Sequence, residues 1–85
     1  MKSFTYVITD ELGIHARPAG MLAKEAKKYD SEIKIRKGDK KVAASQLLML
    51  MGLGVKKEEE VEITVQGPDE EEAYDAMLSF MKQNL

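Results

Sequence analysis

The sequence predicts an α+β domain in the form of an open-faced sandwich, a four-stranded antiparallel sheet with three helices on one face. Three observations lead to this fold class. Alternating apolar residues indicate half-buried strands, apolar residues spaced three and four apart indicate helices, and these segments follow one another in the order β-α-β-β-α-β-α. Because each predicted strand has a single apolar face, we expect the helices to cover that face.

The first predicted strand leads through a turn into the first predicted helix. Phe4, Tyr6 and Ile8 occupy alternate positions of the strand, and the turn lies around Gly13. Pro18 fits the first turn of the helix that follows, because the N–H group that it lacks would have no intrahelical acceptor there. The apolar stripe of this helix consists of Ala19, Leu22, Ala23 and Ala26.

Three further strands are predicted from alternation and turn residues. Ile33 and Ile35 alternate with charged residues, and a turn at Gly38 leads into a third strand over residues 40–43. The fourth strand has the most regular alternation in the chain and ends at Gly67. Its apolar face consists of Val61, Ile63 and Val65.

Two more helices are predicted from apolar stripes and capping residues. The second helix is short, begins with Ser45 as its N-cap residue and ends near Gly52 or Gly54. The third begins at Asp69, and Glu72 three residues later is typical of a capping box. The stripe of the second helix consists of Ala44, Leu47, Leu48 and Met51, and that of the third consists of Ala73, Tyr74, Met77, Leu78 and Met81.

Length and composition indicate one small domain, residues 1–85, and exclude several classes of protein. The absence of cysteine excludes disulfide scaffolds, thiolate metal sites and cysteine nucleophiles, and it is compatible with a reducing cytoplasm. The longest uncharged stretch, residues 42–55, is too short to span a bilayer, and the first residues lack the pattern of a signal peptide. We therefore expect a cytoplasmic protein without membrane insertion.

The net charge of −2 conceals an uneven distribution along the chain. Residues 24–41 contain eight basic and four acidic side chains, whereas residues 56–85 contain three basic and nine acidic ones. The uniformly basic surface of a nucleic-acid-binding domain is absent, so we expect no nucleic-acid partner. The basic segment is a candidate surface for an acidic protein partner, although charge runs are more often solvated faces.

His15 is the only histidine and the leading candidate for a reactive residue. The sequence has no glycine-rich phosphate loop, no dinucleotide-binding fingerprint and no nucleophile elbow. The acidic runs at residues 58–60 and 69–72 are typical of solvated faces or helix capping and not of a metal site. We therefore expect neither a metal nor another cofactor.

The position of His15 at a helix start favours anion chemistry. The first amides of a helix have no intrahelical acceptor, so Ala16, Arg17 and the residues around and just beyond Pro18 form a predicted phosphate-binding site. The Arg17 guanidinium adds planar donors that suit phosphate oxygens, and one nitrogen of a neutral imidazole is a nucleophile. The alternative interpretation is that His15 only caps the helix and that Arg17 is a surface cation.

The segment Gly-Ile-His-Ala-Arg-Pro-Ala at residues 13–19 resembles the active-site signature of the HPr family, the histidine-containing phosphocarriers of the bacterial phosphoenolpyruvate:sugar phosphotransferase system. The resemblance extends over essentially the whole chain. Residues 47–54 are similar to the family's second-helix region, and residues 67–71 are similar to the start of its final helix. The family fold has the same element order that hydrophobic periodicity predicts.

The resemblance implies a phosphoryl-transfer function. In the family, Nδ1 of the histidine that matches His15 accepts a phosphoryl group from phospho-Enzyme I, which phosphoenolpyruvate charges, and passes it to the A domains of Enzyme II complexes. Arg17 matches the arginine that stabilises the phosphoryl group, and Pro18 matches the proline that shapes the helix start. Such a chain forms a covalent phosphohistidine and is not a stand-alone catalyst. It holds no cofactor, and we expect a monomer.

The resemblance also implies a docking surface for these partner proteins. Leu47, Leu48 and Met51 are candidates for a small apolar patch, and methionine side chains adapt to several partners. The alternative is that these residues belong to the core. Lys24 and Lys27 match rim positions that face acidic partner surfaces in the family.

Two positions depart from the family pattern. Many members carry a regulatory serine where this chain has Gln46, and Ser45 lies one residue earlier, which corresponds to a rotation of about 100° on a helix. We therefore expect that Ser45 does not take over the regulatory role. Leu12 stands where members often have a small polar residue close to the histidine. Because leucine makes no hydrogen bond to imidazole or phosphate, we expect a different phosphohistidine lifetime or partner choice.

Two rival functions remain open. One is a non-catalytic regulatory module of the same fold that binds a transcription factor or enzyme through its second helix. The other is a carrier in a parallel phosphotransfer chain linked to nitrogen metabolism or regulation. The intact pair of His15 and Arg17 favours a carrier, and assays with cognate partners separate the two kinds of carrier.

Overall fold

The computed structural model describes all 85 residues and contains the seven predicted elements in the predicted order. None of its helices is long and apolar enough to cross a membrane. The strands are β1 (Lys2–Val7), β2 (Glu32–Lys37), β3 (Lys40–Ala43) and β4 (Glu60–Gln66), and the helices are α1 (Ala16–Ala26), α2 (Leu47–Gly52) and α3 (Glu70–Asn84).

The four strands form one antiparallel sheet in the order β1-β4-β2-β3. β4 lies inside the sheet, where Ile63 stands opposite Phe4 of β1 on one side and Ile35 of β2 on the other. This apolar row faces the helices, which explains the regular alternation of β4. On the open face, Glu62 accepts two hydrogen bonds from the Arg36 guanidinium, at 3.1 and 3.0 Å. The predicted open-faced sandwich is confirmed.

The core lies between the sheet and the helices, where twenty buried apolar side chains form one cluster. The core residues of the two longer helices are Ala19, Leu22, Ala23 and Ala26 in α1 and Ala73, Met77, Phe80 and Met81 in α3. Tyr74 and Leu78 are only partly buried. The Tyr74 ring instead packs edge-on against Phe4 at the margin of the core, with 5.4 Å between the ring centroids.

The start of α2 differs from its prediction. The N-cap residue is Gln46, whose N–H group donates to the carbonyl oxygen of Ala43 at 3.1 Å and so closes a tight turn. Ser45 lies in that turn, and its predicted role as the N-cap residue is wrong. Ala44 is buried, but it precedes the helix and is not part of a helical stripe.

The buried side of α2 also differs from its prediction. Leu50 in the helix and Leu53 just after it are the buried residues, whereas Leu47, Leu48 and Met51 are exposed. Every residue from Leu47 to Met51 is apolar, so periodicity alone does not distinguish the two sides of the helix. Packing against β3 and α1 decides which side is buried.

Asp69 is the N-cap residue of α3, as predicted, but its side chain makes tertiary hydrogen bonds and not the predicted capping box. The Asp69 carboxylate accepts hydrogen bonds from the Ser31 hydroxyl and from the backbone N–H groups of Asp30 and Ser31, the latter two at 2.9 and 2.8 Å. Neither Asp69 nor Glu72 caps the helix through its side chain. The hydrogen bonds from Ser31 and Asp30 hold the pKa of the Asp69 carboxyl below its ordinary value.

Candidate functional site

The loop before α1 is held against Val55 through Gly13 and Ile14, and it places His15 at the start of α1. Gly13 has a positive φ of 67°, and a Cβ atom there would lie 2.1 Å from the carbonyl oxygen of Val55, so only glycine fits. The same oxygen accepts a hydrogen bond from the N–H group of Ile14, whose side chain is buried. His15 follows as the N-cap residue, with its side chain 34% exposed. The imidazole is therefore carried on a fixed backbone and remains accessible.

Two backbone N–H groups at the start of α1, those of Ala16 and Arg17, have no acceptor within the chain. Pro18 has no N–H group, and that of Ala19 donates to the carbonyl oxygen of His15 at 2.9 Å. The prediction of free amides just beyond Pro18 is therefore wrong, because the first intrahelical hydrogen bond already uses the amide of Ala19. The exposed Arg17 guanidinium makes no hydrogen bond or ion pair within the chain.

These groups open into a cleft of about 280 Å³ where the start of α1 meets the end of α3. His15, Arg17 and Pro18 line the cleft from the α1 region, and Gln83 and Asn84 line it from α3. Pro18 contributes a surface and no hydrogen bond. Donors of two kinds, amide and guanidinium, surround an accessible imidazole, and this combination suits a small anion such as a phosphoryl group.

A further residue of the cleft, Asp10, escapes prediction from the sequence. Its Oδ1 atom lies 3.9 Å from Nε2 of His15 and accepts a hydrogen bond from the N–H group of Leu12 at 2.8 Å. The sequence signal is an aspartate in a turn, whose side chain often binds the amide two residues on. That signal does not reveal which other group the carboxylate faces. No three His, Asp or Glu side chains of the chain are grouped to hold a metal ion.

Six large apolar side chains are exposed on α2 and on the segments around His15, and we call them the apolar surface. Its members are Leu12, Met21, Leu47, Leu48, Met49 and Met51. Leu48 is 81% exposed and Leu12 is 71% exposed. α1 and α2 pack beside each other, and the N–H group of Ile14, next to His15, donates to the carbonyl oxygen of Val55, three residues after the end of α2. The core interpretation of Leu47, Leu48 and Met51 is therefore wrong, and their partner-binding role stays a prediction.

Cations without an ion-pair partner lie along α1. Lys24 in the last turn and Lys27 at the C-cap position are exposed and make no ion pair, like Arg17. In contrast, Lys37 on β2 pairs with Glu59 at 3.0 Å, and that hydrogen bond lowers the pKa of the Glu59 carboxyl. The charges of α1 are therefore available to an acidic partner, and those of β2 are largely neutralised within the chain.

The comparison with family models identifies one match that covers nearly the whole chain. Residues 2–83 match the model described as the PTS HPr component phosphorylation site. The chain is also 41% identical over 91 residues to the phosphocarrier protein HPr of Mycoplasma genitalium, an alignment that covers 99% of this chain and 97% of that protein.

Solved structures agree with this match. A histidine-containing phosphocarrier protein of Mycoplasma superposes with a TM-score of 0.93 at 35% identity, covering 96% of this chain and 93% of that one. The Bacillus subtilis catabolite repression protein Crh, solved as a domain-swapped dimer, superposes with a TM-score of 0.78 at 30% identity, covering 100% and 98% of the two chains. The chain belongs to the HPr family of phosphocarrier proteins of the phosphotransferase system.

Proposed function

We propose that the chain is a cytoplasmic phosphocarrier of sugar uptake, in which Nδ1 of His15 accepts a phosphoryl group from phospho-Enzyme I and donates it to the A domains of Enzyme II complexes. One observation carries the proposal. The only histidine stands at a helix start where the amides of Ala16 and Arg17 and the Arg17 guanidinium have no partner within the chain. A helix start left open in this way favours a bound anion.

The transfer step uses the lone pair of a neutral imidazole. Nδ1 attacks the phosphorus atom, the bond between phosphorus and the donor breaks, and the donor keeps the electron pair of that bond. The ring of His15 then carries the phosphoryl group on Nδ1 and a proton on Nε2. The guanidinium of Arg17 and the two free amides are donors for the phosphoryl oxygens, so they stabilise the charge that arrives with the group.

The modest strength of this site suits a carrier. A helix start stabilises an anion by about 0.3–1 kcal/mol at an exposed position, and His15 is partly exposed. A much tighter phosphoryl site would slow the second transfer to an Enzyme II A domain. The same site can therefore receive the group and release it.

Docking to both partners requires a surface around His15 that several proteins share. The apolar surface supplies adaptable methionine side chains, and Arg17, Lys24 and Lys27 supply unpaired positive charges along α1. A partner of matching chemistry presents an apolar depression surrounded by carboxylates. Charges of this kind accelerate association and leave the complex short-lived.

The docking role of the apolar surface is tested with Leu48→Ala. We expect the Enzyme I concentration that gives a half-maximal phosphorylation rate to rise about fivefold, because an exposed anchor of the interface is removed. Val7→Ala is the matched control, since Val7 is also an exposed apolar residue but lies on the open face of the sheet. Equal values for the two variants would argue against docking through α2.

We expect a monomer, since the imidazole, the two free amides and the guanidinium of the proposed site all lie at the start of one helix. The domain-swapped dimer of Crh defines the alternative state. Sedimentation velocity at micromolar concentrations, before and after phosphorylation, distinguishes the two. A stable dimer in which only one His15 is phosphorylated would contradict the expectation that one chain is the working unit.

The central experiment is intact-mass analysis after incubation with Enzyme I, phosphoenolpyruvate and Mg²⁺. We expect a mass increase of one phosphoryl group, which is lost in acid, and no increase in a folded His15→Ala variant. Addition of an Enzyme II A domain should then remove the group. Using Enzyme I and its counterpart from a nitrogen-linked chain in parallel separates the two kinds of carrier by their rates.

Failure of every donor to phosphorylate the folded protein would overturn the carrier function. In that case the apolar surface would favour the regulatory module that binds a transcription factor or enzyme. Phosphorylation that persists in the His15→Ala variant would leave a phosphoprotein but would exclude His15 as the acceptor.

A further inference from the structure

The carboxylate of Asp10 faces the imidazole nitrogen that the proposed reaction does not use. Oδ1 of Asp10 lies 3.9 Å from Nε2 of His15, in the cleft that also contains Arg17. We propose that Asp10 is a positioning residue that keeps the neutral His15 ring protonated on Nε2, so that the lone pair needed for phosphoryl transfer is on Nδ1. This inference rests on the proposed phosphocarrier function.

The carboxylate is held by hydrogen bonds at its side chain and its backbone. Oδ1 of Asp10 accepts from the N–H group of Leu12 at 2.8 Å, and the backbone oxygen of Asp10 accepts from the N–H group of Gly13 at 3.0 Å. The backbone N–H group of Asp10 donates to the carbonyl oxygen of Leu85 at 3.0 Å. The backbone and the side chain of Asp10 are therefore both held by hydrogen bonds. The carboxylate already occupies its position beside Nε2 before phosphoryl transfer begins.

The chemistry of the two tautomers gives the direction of the effect. A neutral imidazole carries its hydrogen on one nitrogen and a lone pair on the other. A carboxylate beside Nε2 attracts an N–H group there and repels a lone pair. The separation of 3.9 Å exceeds a direct hydrogen bond, so the coupling is electrostatic or passes through a bridging water.

The same contact also favours the product of the transfer. After Nδ1 has taken the phosphoryl group, the ring gains positive charge and keeps its hydrogen on Nε2, next to the Asp10 carboxylate. Arg17 is the other ionisable group in the cleft besides His15, and as a donor without a lone pair it acts on the phosphoryl oxygens and not on the ring proton. Asp10 therefore acts on the protonation of the His15 ring, and Arg17 acts on the oxygens of the phosphoryl group.

The first test reads the tautomer directly in the unphosphorylated protein. The ¹⁵N chemical shifts of the His15 ring are measured at a pH where the ring is neutral, in the parent and in Asp10→Asn. The asparagine oxygen can still accept from the Leu12 amide, but the variant has no negative charge beside Nε2. We expect the parent to be mainly protonated on Nε2 and the variant to shift towards protonation on Nδ1. An unchanged tautomer ratio would overturn the proposal.

The matched control is Glu11→Gln. Glu11 is the adjacent acid, 87% exposed at its side chain, and its Oε1 atom lies 3.7 Å from Nζ of Lys57 and not near the ring. The control removes one negative charge from the same loop, so we expect the parental tautomer ratio. A shift as large as that of Asp10→Asn would mean that net charge, and not the facing carboxylate, sets the tautomer. That result would also overturn the proposal.

The second test measures phosphorylation by phospho-Enzyme I at varied donor concentration. We expect the maximal rate of Asp10→Asn to fall about tenfold, by analogy with the loss of other groups that orient a histidine ring, and the half-saturating concentration to stay the same. Asp10→Glu should recover part of the rate. A shifted tautomer with a parental rate would show that Asp10 does not assist the transfer.

The two tests separate failure of this inference from failure of the proposed function. If no donor phosphorylates any of the proteins, the phosphocarrier function fails, and the ring spectra still report whether Asp10 sets the tautomer. If the parent is phosphorylated and the ring spectra do not differ, only the role of Asp10 fails.

Discussion

The two longer helices of this protein begin in opposite ways. α3 has three acidic residues in its first turn, and Glu70 accepts a hydrogen bond from the N–H group of Gly67 at 3.2 Å and pairs with the amino group of Met1 at 3.2 Å. α1 has no acidic residue in its first turn, and the amides of Ala16 and Arg17 are unpaired. Both helix starts attract negative charge. The protein places its own carboxylates at the start of α3, which stabilises the fold, and places none at the start of α1, the proposed site for an external anion.

The largest expected effect comes from the loop that holds the open helix start in place. Gly13→Ala should lower the free energy of unfolding by about 2–4 kcal/mol, because it combines a positive φ with a collision against the carbonyl oxygen of Val55. Gly20→Ala is the control inside α1, where no atom lies within 4 Å of the added Cβ, and it should stabilise the protein by about 0.5–1 kcal/mol. Urea unfolding measures both. Similar changes in the free energy of unfolding for the two variants would show that the contact of Gly13 with Val55 does not constrain the loop.

The second prediction compares Arg17, which has no partner within the chain, with Arg36, which forms an ion pair within the fold. Arg17→Gln should lower the rate of phosphoryl acceptance roughly 10- to 100-fold, less than at a fully buried oxyanion site, and leave stability unchanged. Arg36→Gln should do the reverse, because Arg36 pairs with Glu62 at 3.0 Å, and should cost about 0.2–1 kcal/mol of stability. Transfer rates and thermal unfolding of both variants provide the measurement. If Arg17→Gln lost stability and Arg36→Gln did not, the assignment of Arg17 to an external anion and of Arg36 to the fold would be wrong.

The third prediction makes α1 begin like α3. Ala16→Glu places a carboxylate at the exposed first position of α1 and should raise the free energy of unfolding by about 0.3–1 kcal/mol at low salt. The same charge should slow phosphoryl acceptance several-fold, since it repels the incoming group. Ala16→Gln controls for size. If the glutamate variant accepted phosphoryl groups as fast as the glutamine variant, the open helix start would not be the anion site.

The last prediction concerns the start of α3 and the dependence of stability on pH. Hydrogen bonds from the Ser31 hydroxyl and from the Asp30 amide lower the pKa of folded Asp69 below its ordinary value of 3.8. The folded state therefore binds fewer protons than the unfolded state in acid, so the stabilisation by Asp69 is complete above the unfolded pKa and is lost as the pH falls through the lower folded pKa.

This pH dependence is measured by thermal unfolding between neutral pH and strong acid. Asp69→Asn should flatten the loss of thermal stability in acid, because it removes one group that binds a proton more tightly in the unfolded state than in the folded state. Asp75→Asn is the control, since Asp75 is an exposed acid of the same helix. An identical acid profile in the parent and in Asp69→Asn would show that the contact with Ser31 does not contribute.

Hydrophobic pattern predicted most of the fold because most elements have one apolar face. The apolar positions of β4 are buried as its alternation predicts, and the stripe of α1 is buried as its spacing predicts. α2 is the exception, because every residue from Leu47 to Met51 is apolar. A helix without a polar side carries no periodic signal, so Leu50 is the buried residue only by virtue of its neighbours in space.

Carboxylates were the least predictable part of the molecule. Asp69 matches the pattern of an N-cap residue, yet its side chain binds Ser31 and Asp30, which are nearly forty residues away in sequence. Asp10 lies in a turn that many sequences could form, yet its carboxylate faces His15. A short side chain with two acceptor oxygens binds whichever donor the fold brings close, and local sequence does not identify that donor.

The sequence by itself determined the order of the elements, the chemical type of the candidate site and the position of His15 at a helix start. These properties are local, because periodicity, turn residues and the chemistry of Arg17 and Pro18 act within a few residues. Only the tertiary structure decided which apolar residues of α2 face solvent and what stands beside the imidazole. Those outcomes depend on contacts between distant segments, such as Gly13 against Val55, and such contacts exist only once the chain has folded.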